Sequence, residues 1–140
     1  MAGNKEGEPI APALRRIPPR VRAELAPAVD LGANEIVVKA RTAAAGSKDS
    51  GTLQGTIRKE PGPKELSVTV KAGGPETTKP VRNSEKGNAP EFDYALGVEY
   101  GTEDTNAQPY FWPSVRALSK RVRRRIDRAA SKAVKAEWSK

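Results

Sequence analysis

Residues 94–113 read YALGVEYGTEDTNAQPYFWP. Together with Phe92 they hold six of the seven aromatic residues, so whatever core the chain has must be anchored here. From Phe92 to Tyr100, Tyr94, Leu96, Val98 and Tyr100 alternate with Ala95, Gly97 and Glu99, which predicts a strand. Gly101 reads as a turn and residues 103–108 as a polar loop. Pro109 and Pro113 bracket Tyr110, Phe111 and Trp112. Proline suits a first helical turn, so a last helix is expected from Pro113 or Ser114. Its apolar stripe is Val115, Leu118, Val122, Ile126, Ala129 and Ala133, with Trp138 at the far end.

Upstream, Pro18 and Pro19 precede a run in which Val21, Leu25, Val29, Ala33, Ile36, Ala40 and Ala44 recur at three- and four-residue steps. That is one face of a helix, broadened by Val37 and Val38. Pro27 predicts a kink or a split, and Gly32 weakens the helix further. Gly46 is the expected C-cap. Thr52 to Lys59 reads as a short strand, Pro61–Pro63 as a turn, and Leu66, Val68 and Val70 as a half-buried strand pairing with it. Residues 72–90 carry glycine, proline and no apolar period, which predicts a long surface loop. Residues 1–17 read as an extended arm, and 18–140 as one domain. The expected class is α+β: a long N-terminal helix, a small antiparallel sheet of three to four strands, and a long basic C-terminal helix.

Composition narrows the chemistry. The apolar fraction is 36% and the mean hydropathy −0.66, lean for a chain that must offset its own entropy alone. Burial completed by neighbouring subunits is therefore expected. There is no cysteine and no histidine, which removes disulfides, thiolate metal sites and the commonest general base. No enzymatic activity and no cofactor is expected. No apolar run is long enough for a membrane helix, and MAGNKEGEPI lacks the layout of a secretory signal, so synthesis in the cytoplasm is expected.

The net charge of +8 is segregated. Residues 112–140 hold ten Lys/Arg against Asp127 and Glu137, while residues 1–111 balance at fifteen of each sign. Arg116, Lys120, Arg121, Arg123, Arg124, Arg125 and Arg128 form the candidate basic face. Two readings are open: contact with phosphates, or a solvated or intersubunit salt-bridging face. Nothing resembles a base-reading module, so any DNA contact would be nonspecific. Glu99 needs a partner on its apolar segment, and an arginine of the last helix is the expected one. A cation site with Asp93, Glu103 and Asp104 is the rival reading.

Three phrases in order carry a resemblance. An Ala-rich helix runs into Gly51-x-Leu53 and Ile57. Tyr94-Ala95 is followed by Val98-Glu99-Tyr100-Gly101-Thr102. Gln108-Pro109-Tyr110-Phe111-x-Pro113 opens the last helix. Across residues 20–138 the chain resembles the gene-product-ten family of Hong-Kong-type lambdoid phages, small tail components related in gene position to the minor tail protein Z of phage lambda. It departs from that family at Gly46-Ser47-Lys48, where a proline is usual, and in the length of the 72–90 loop. The resemblance implies a structural virion protein of the head–tail junction, a ring of six or twelve copies around the DNA channel. The implied partners are head-closure or connector proteins on one side, tail-terminator or tail-tube proteins on the other, and the packaged DNA. It brings no catalytic residue.

Overall fold

The computed structural model describes residues 17–47, 50–80 and 91–139. The expected arm therefore falls almost wholly outside the described residues, as do positions 81–90. The elements are α1 (Pro19–Ala44), α2 (Ser50–Thr56), β1 (Arg58–Pro61), β2 (Val68–Lys71), a 3-10 turn (Pro75–Thr77), β3 (Thr78–Pro80), β4 (Glu91–Asp93), α3 (Tyr94–Tyr100) and α4 (Trp112–Trp138). The class is α+β, with long helices at the two ends and the short strands between them.

Pro27 does not split α1, which runs unbroken for 26 residues. Its buried line is Val21, Ala28, Gly32, Ala33, Val37, Ala40 and Ala44, while Val38 faces out. Small side chains on this line let α4 approach closely. A Cβ at Gly32 would stand 2.5 Å from Val122 Cγ1, so this glycine is a packing contact and more than a weak point of the helix. Tyr110, just before α4, lies in one apolar cluster with Val37, Ala40 and Ala44. With Val122 at Gly32, the two long helices therefore run antiparallel. Gly46 is not a left-handed cap; the Ser47 hydroxyl instead donates to the Ala44 carbonyl at 2.7 Å.

The expected strand at 52–59 is corrected. Leu53 and Ile57 are four residues apart, a helical step, and both are fully buried. Residues 50–56 form a helix, and extended backbone begins at Arg58. Arg41 fixes that join by donating from Nε and Nη2 to the Ile57 carbonyl at 3.0 and 2.7 Å. A hairpin is present but shifted from the expected one: Arg58 stands opposite Lys71 and Pro61 opposite Val68, so Pro61 belongs to the first strand, and Leu66, at φ +60°, lies in the turn and not in the second strand. A second antiparallel pair joins β3 to β4, with Thr78 opposite Asp93. The four strands thus form two separate pairs rather than one sheet. Part of the expected 72–90 loop is consequently ordered, as the 3-10 turn and β3.

The strand expected from Phe92 to Tyr100 is also corrected: it stops at Asp93, and residues 94–100 are helical. Asp93 is the reason. Its Oδ1 accepts from Ala95 N at 2.9 Å, an N-cap that starts a helix where alternation predicted a strand. Gly101, at φ +80°, ends it. A side chain there would meet Ala107 N at 2.9 Å, so both conformation and space require glycine. The two-turn helix buries Ala95 and Glu99 and turns Leu96 and Tyr100 outward.

Candidate functional site

Glu99 lies in the stretch that joins α3 to α4. It is 6% exposed, and its partner is not an arginine. Its Oε2 accepts from the backbone N–H groups of Tyr110 and Phe111 at 2.8 and 2.9 Å, and its Oε1 from Trp112 N at 3.0 Å. These donors open α4, where the aligned peptide dipoles favour a negative charge. Glu99 therefore replaces the side-chain cap that α4 otherwise lacks. Tyr110 seals the site. It is 2% exposed, donates its hydroxyl to the Ala95 carbonyl at 3.1 Å, and takes Ser114 Oγ on its own carbonyl at 2.6 Å. Burial, then the nearby Glu99 carboxylate, pushes the Tyr110 hydroxyl up to about 12.

The cation-site reading is not supported by this arrangement. Glu99 is satisfied by amides, and Asp93 is occupied by Ala95 N, Gly74 N and the Thr77 hydroxyl. Among the described residues no three acidic side chains cluster to hold a metal ion.

The other signature residues divide by role. Leu53 is core and Phe111 packs against it, in edge-on contact with Trp112 at 5.2 Å between ring centres. Gln108 donates its backbone N–H to the Val98 carbonyl at 2.7 Å, which closes the loop after α3. Pro113 lies in the first turn of α4, next to exposed Pro109. Tyr94 is half-buried under Lys79, whose Nζ lies 5.2 Å from the ring centre. Gly51 has no atom within 4 Å of where its Cβ would be, so space does not demand glycine there.

The basic face is sorted by geometry. Arg125 donates from Nη2 to Glu35 Oε1 on α1 at 2.6 Å, and Arg121 Nε lies 3.9 Å from the other oxygen. The Arg125 hydrogen bond outweighs desolvation and holds the Glu35 carboxyl below its ordinary value. These two arginines bind the helices together. Arg116, Lys120, Arg123, Arg124 and Arg128 are exposed and make no ion pair among the described residues. They form a row down the side of α4 facing away from α1.

Two apolar features escaped the sequence reading. Leu96, Tyr100 and Trp112 are 56, 64 and 45% exposed, and they line an open cleft of ≈ 180 Å³ over Ala95, Tyr110 and Phe111. Trp112 Nε1 donates to the Tyr100 hydroxyl at 2.7 Å, which ties the two side chains together. At the other end of α4, Val134 is exposed and Trp138 is 73% exposed, so Trp138 does not belong to the buried stripe. In α3 Leu96 and Tyr100 are four residues apart, one helical turn along one face, a spacing that the sequence carries. Searched against protein-family models, characterised proteins and solved structures, the chain matches none.

Proposed function

We propose that this chain is a structural subunit of a phage head–tail junction, closing as a ring of six or twelve copies around the DNA path. One observation supports subunit assembly above others. Over 27 residues of α4 only Ser114 and Ala133 are buried, and Val115, Leu118, Val122 and Ile126 are half-covered. A helix whose apolar stripe is half-covered gains from a neighbour that finishes the burial, at about 25 cal/mol for each Å² removed from water. The exposed groups at both ends of α4 add to that drive. Ring closure needs two different complementary surfaces on each copy. The resemblance of residues 20–138 to a tail-component family supplies the location in the particle. The test is protein mass spectrometry of purified virions from the phage that carries the gene. A fixed count of six or twelve copies per particle is expected, and absence from mature virions overturns the reading.

The unpaired row on α4 favours a second, compatible reading: nonspecific contact with duplex DNA. The apolar face of α4 lies on α1, so the helix is not free to sink into a lipid surface. Arginine forks suit phosphate oxygens. Binding to any duplex should weaken with salt, with a log–log slope of about −0.9 for each phosphate neutralised. Replacing Arg124 or Arg128 with alanine should lower that slope by about one each, while Arg125→Ala should lower stability and leave the slope unchanged. No duplex binding at about 50 mM salt would overturn this reading.

A further inference from the structure

We infer that the cleft of Leu96, Tyr100 and Trp112 receives Trp138 of a second copy of this chain. The inference rests on the assembly reading above and names one of its contacts. The size of the cleft selects its occupant. Its volume of ≈ 180 Å³ lies below the roughly 300–1,000 Å³ of small-molecule sites. An apolar cavity of roughly 150 Å³ takes one benzene ring, so this cleft suits a single large aromatic side chain. Its lining is mostly aromatic and aliphatic, and the one carboxylate in it, Glu99, is already engaged by backbone amides.

The far end of α4 offers such a side chain. Trp138 is the most exposed of the large apolar residues among the described ones. Val134, four residues before it, is exposed on the same face, so the two form an apolar ridge. Phe92, the other exposed aromatic outside the cleft, already lies against α3, since a Cβ at Gly97 would stand 3.0 Å from its Cε1. Charge is complementary as well. Exposed Lys132 and Lys135 flank the ridge, and exposed Glu103 and Asp104 follow Tyr100 on the loop. None of the four makes an ion pair among the described residues. Arg116, one turn past Trp112, has the wrong sign for the lysines, so they should lie on the loop side of the cleft.

The helix itself requires two copies. Trp112 and Trp138 are the two ends of α4, which is unbroken over 27 residues. It holds them roughly 39 Å apart, at about 1.5 Å per residue. A chain's own Trp138 therefore never meets its own cleft. One copy gives the ridge and the next gives the cleft, two different surfaces in a head-to-tail contact of the kind that closes rings.

The chain has no cysteine, so introduced thiols are the only ones present. Thr102→Cys, beside the cleft, and Ser139→Cys, beside Trp138, are made at exposed positions in separate full-length chains, mixed, and oxidised mildly. Ser139→Cys mixed with Leu31→Cys, exposed midway along α1, is the control. The first pair should form its mixed disulfide at least about tenfold faster than the control, because docking raises the effective concentration of the thiols. Equal rates overturn the proposal. Sedimentation of Trp138→Ala and Leu96→Asp, both exposed positions, separates the two ideas. Each should weaken association by about tenfold or more, and the double variant little further, since both break one contact. If only one of the two weakens it, cleft and ridge do not meet, and the proposal fails; Leu96→Asp acting alone marks a different occupant. Undiminished association in both sinks this contact and leaves the ring reading standing, while a wild-type chain that stays monomeric sinks both.

Discussion

Removing the Glu99 carboxylate should destabilise the whole helical pair. In Glu99→Ala, three N–H groups at the start of α4 lose their acceptor. Hydrogen bonds to a charged group contribute about 1.5–3 kcal/mol each, and three would sum to roughly 5–9. Glu99 borders an open cleft, however, and water admitted there can recover part of this. The expected loss is therefore about 3–5 kcal/mol, a large share of the roughly 5–15 kcal/mol that holds a domain folded. Glu99→Gln keeps the shape but not the charge, and turns one amide NH₂ toward a backbone N–H. It should cost about 2–3 kcal/mol. Urea unfolding followed by tryptophan fluorescence reads both, since Trp112 is itself one of the donors. If Glu99→Ala costs less than about 1 kcal/mol, Glu99 is not what holds the start of α4, and the reasoning fails.

Gly32→Ala would place its methyl against Val122, so it should destabilise by about 1–3 kcal/mol by overpacking, where the same change at an open helix site stabilises. Val122→Ala in the same chain should restore most of the loss, read as a double-mutant cycle in urea. Absorbance titration should show one of the three tyrosines ionising near 12. Because the hydroxyl ionises more easily unfolded, stability should fall as pH rises from 10 towards 12. Glu35 has the opposite sign: its carboxyl is held below the ordinary 4.5, so the pairing with Arg125 is present above that pH and is lost as pH falls through the lowered value. Arg125→Ala should remove that part of the acid sensitivity in a Tm-against-pH series.

The long helices were legible because three- and four-residue steps persist over 26 and 27 residues. Residues 94–100 were misread because a seven-residue element is too short to separate the two periods. The deciding features there are Asp93 as a cap and Gly101 as a stop, and Asp93 falls inside the expected strand. Thr52 to Lys59 has a related cause: Leu53 and Ile57 carry a helical step, but Gly55 and two threonines, weak helix formers, share that short stretch. Glu99 was rightly expected to need a partner. That the partner is backbone follows from a fold that brings α3 under the start of α4, a long-range fact that local sequence does not carry. The basic face was legible as a whole. Its division into two arginines that hold α1 and five cations left to solvent depends on Glu35, about ninety positions away. The Leu96–Tyr100–Trp112 cleft was hidden because reading 94–100 as a strand put Leu96 and Tyr100 on the same side as Tyr94 and Val98.

Whether the chain closes on copies of itself is tested directly by native mass spectrometry of the full-length protein over a concentration series. The expected result is a closed species of six or twelve copies that grows at the expense of monomer, with no larger members. A monomer at every concentration, or an open ladder without a preferred size, would contradict it.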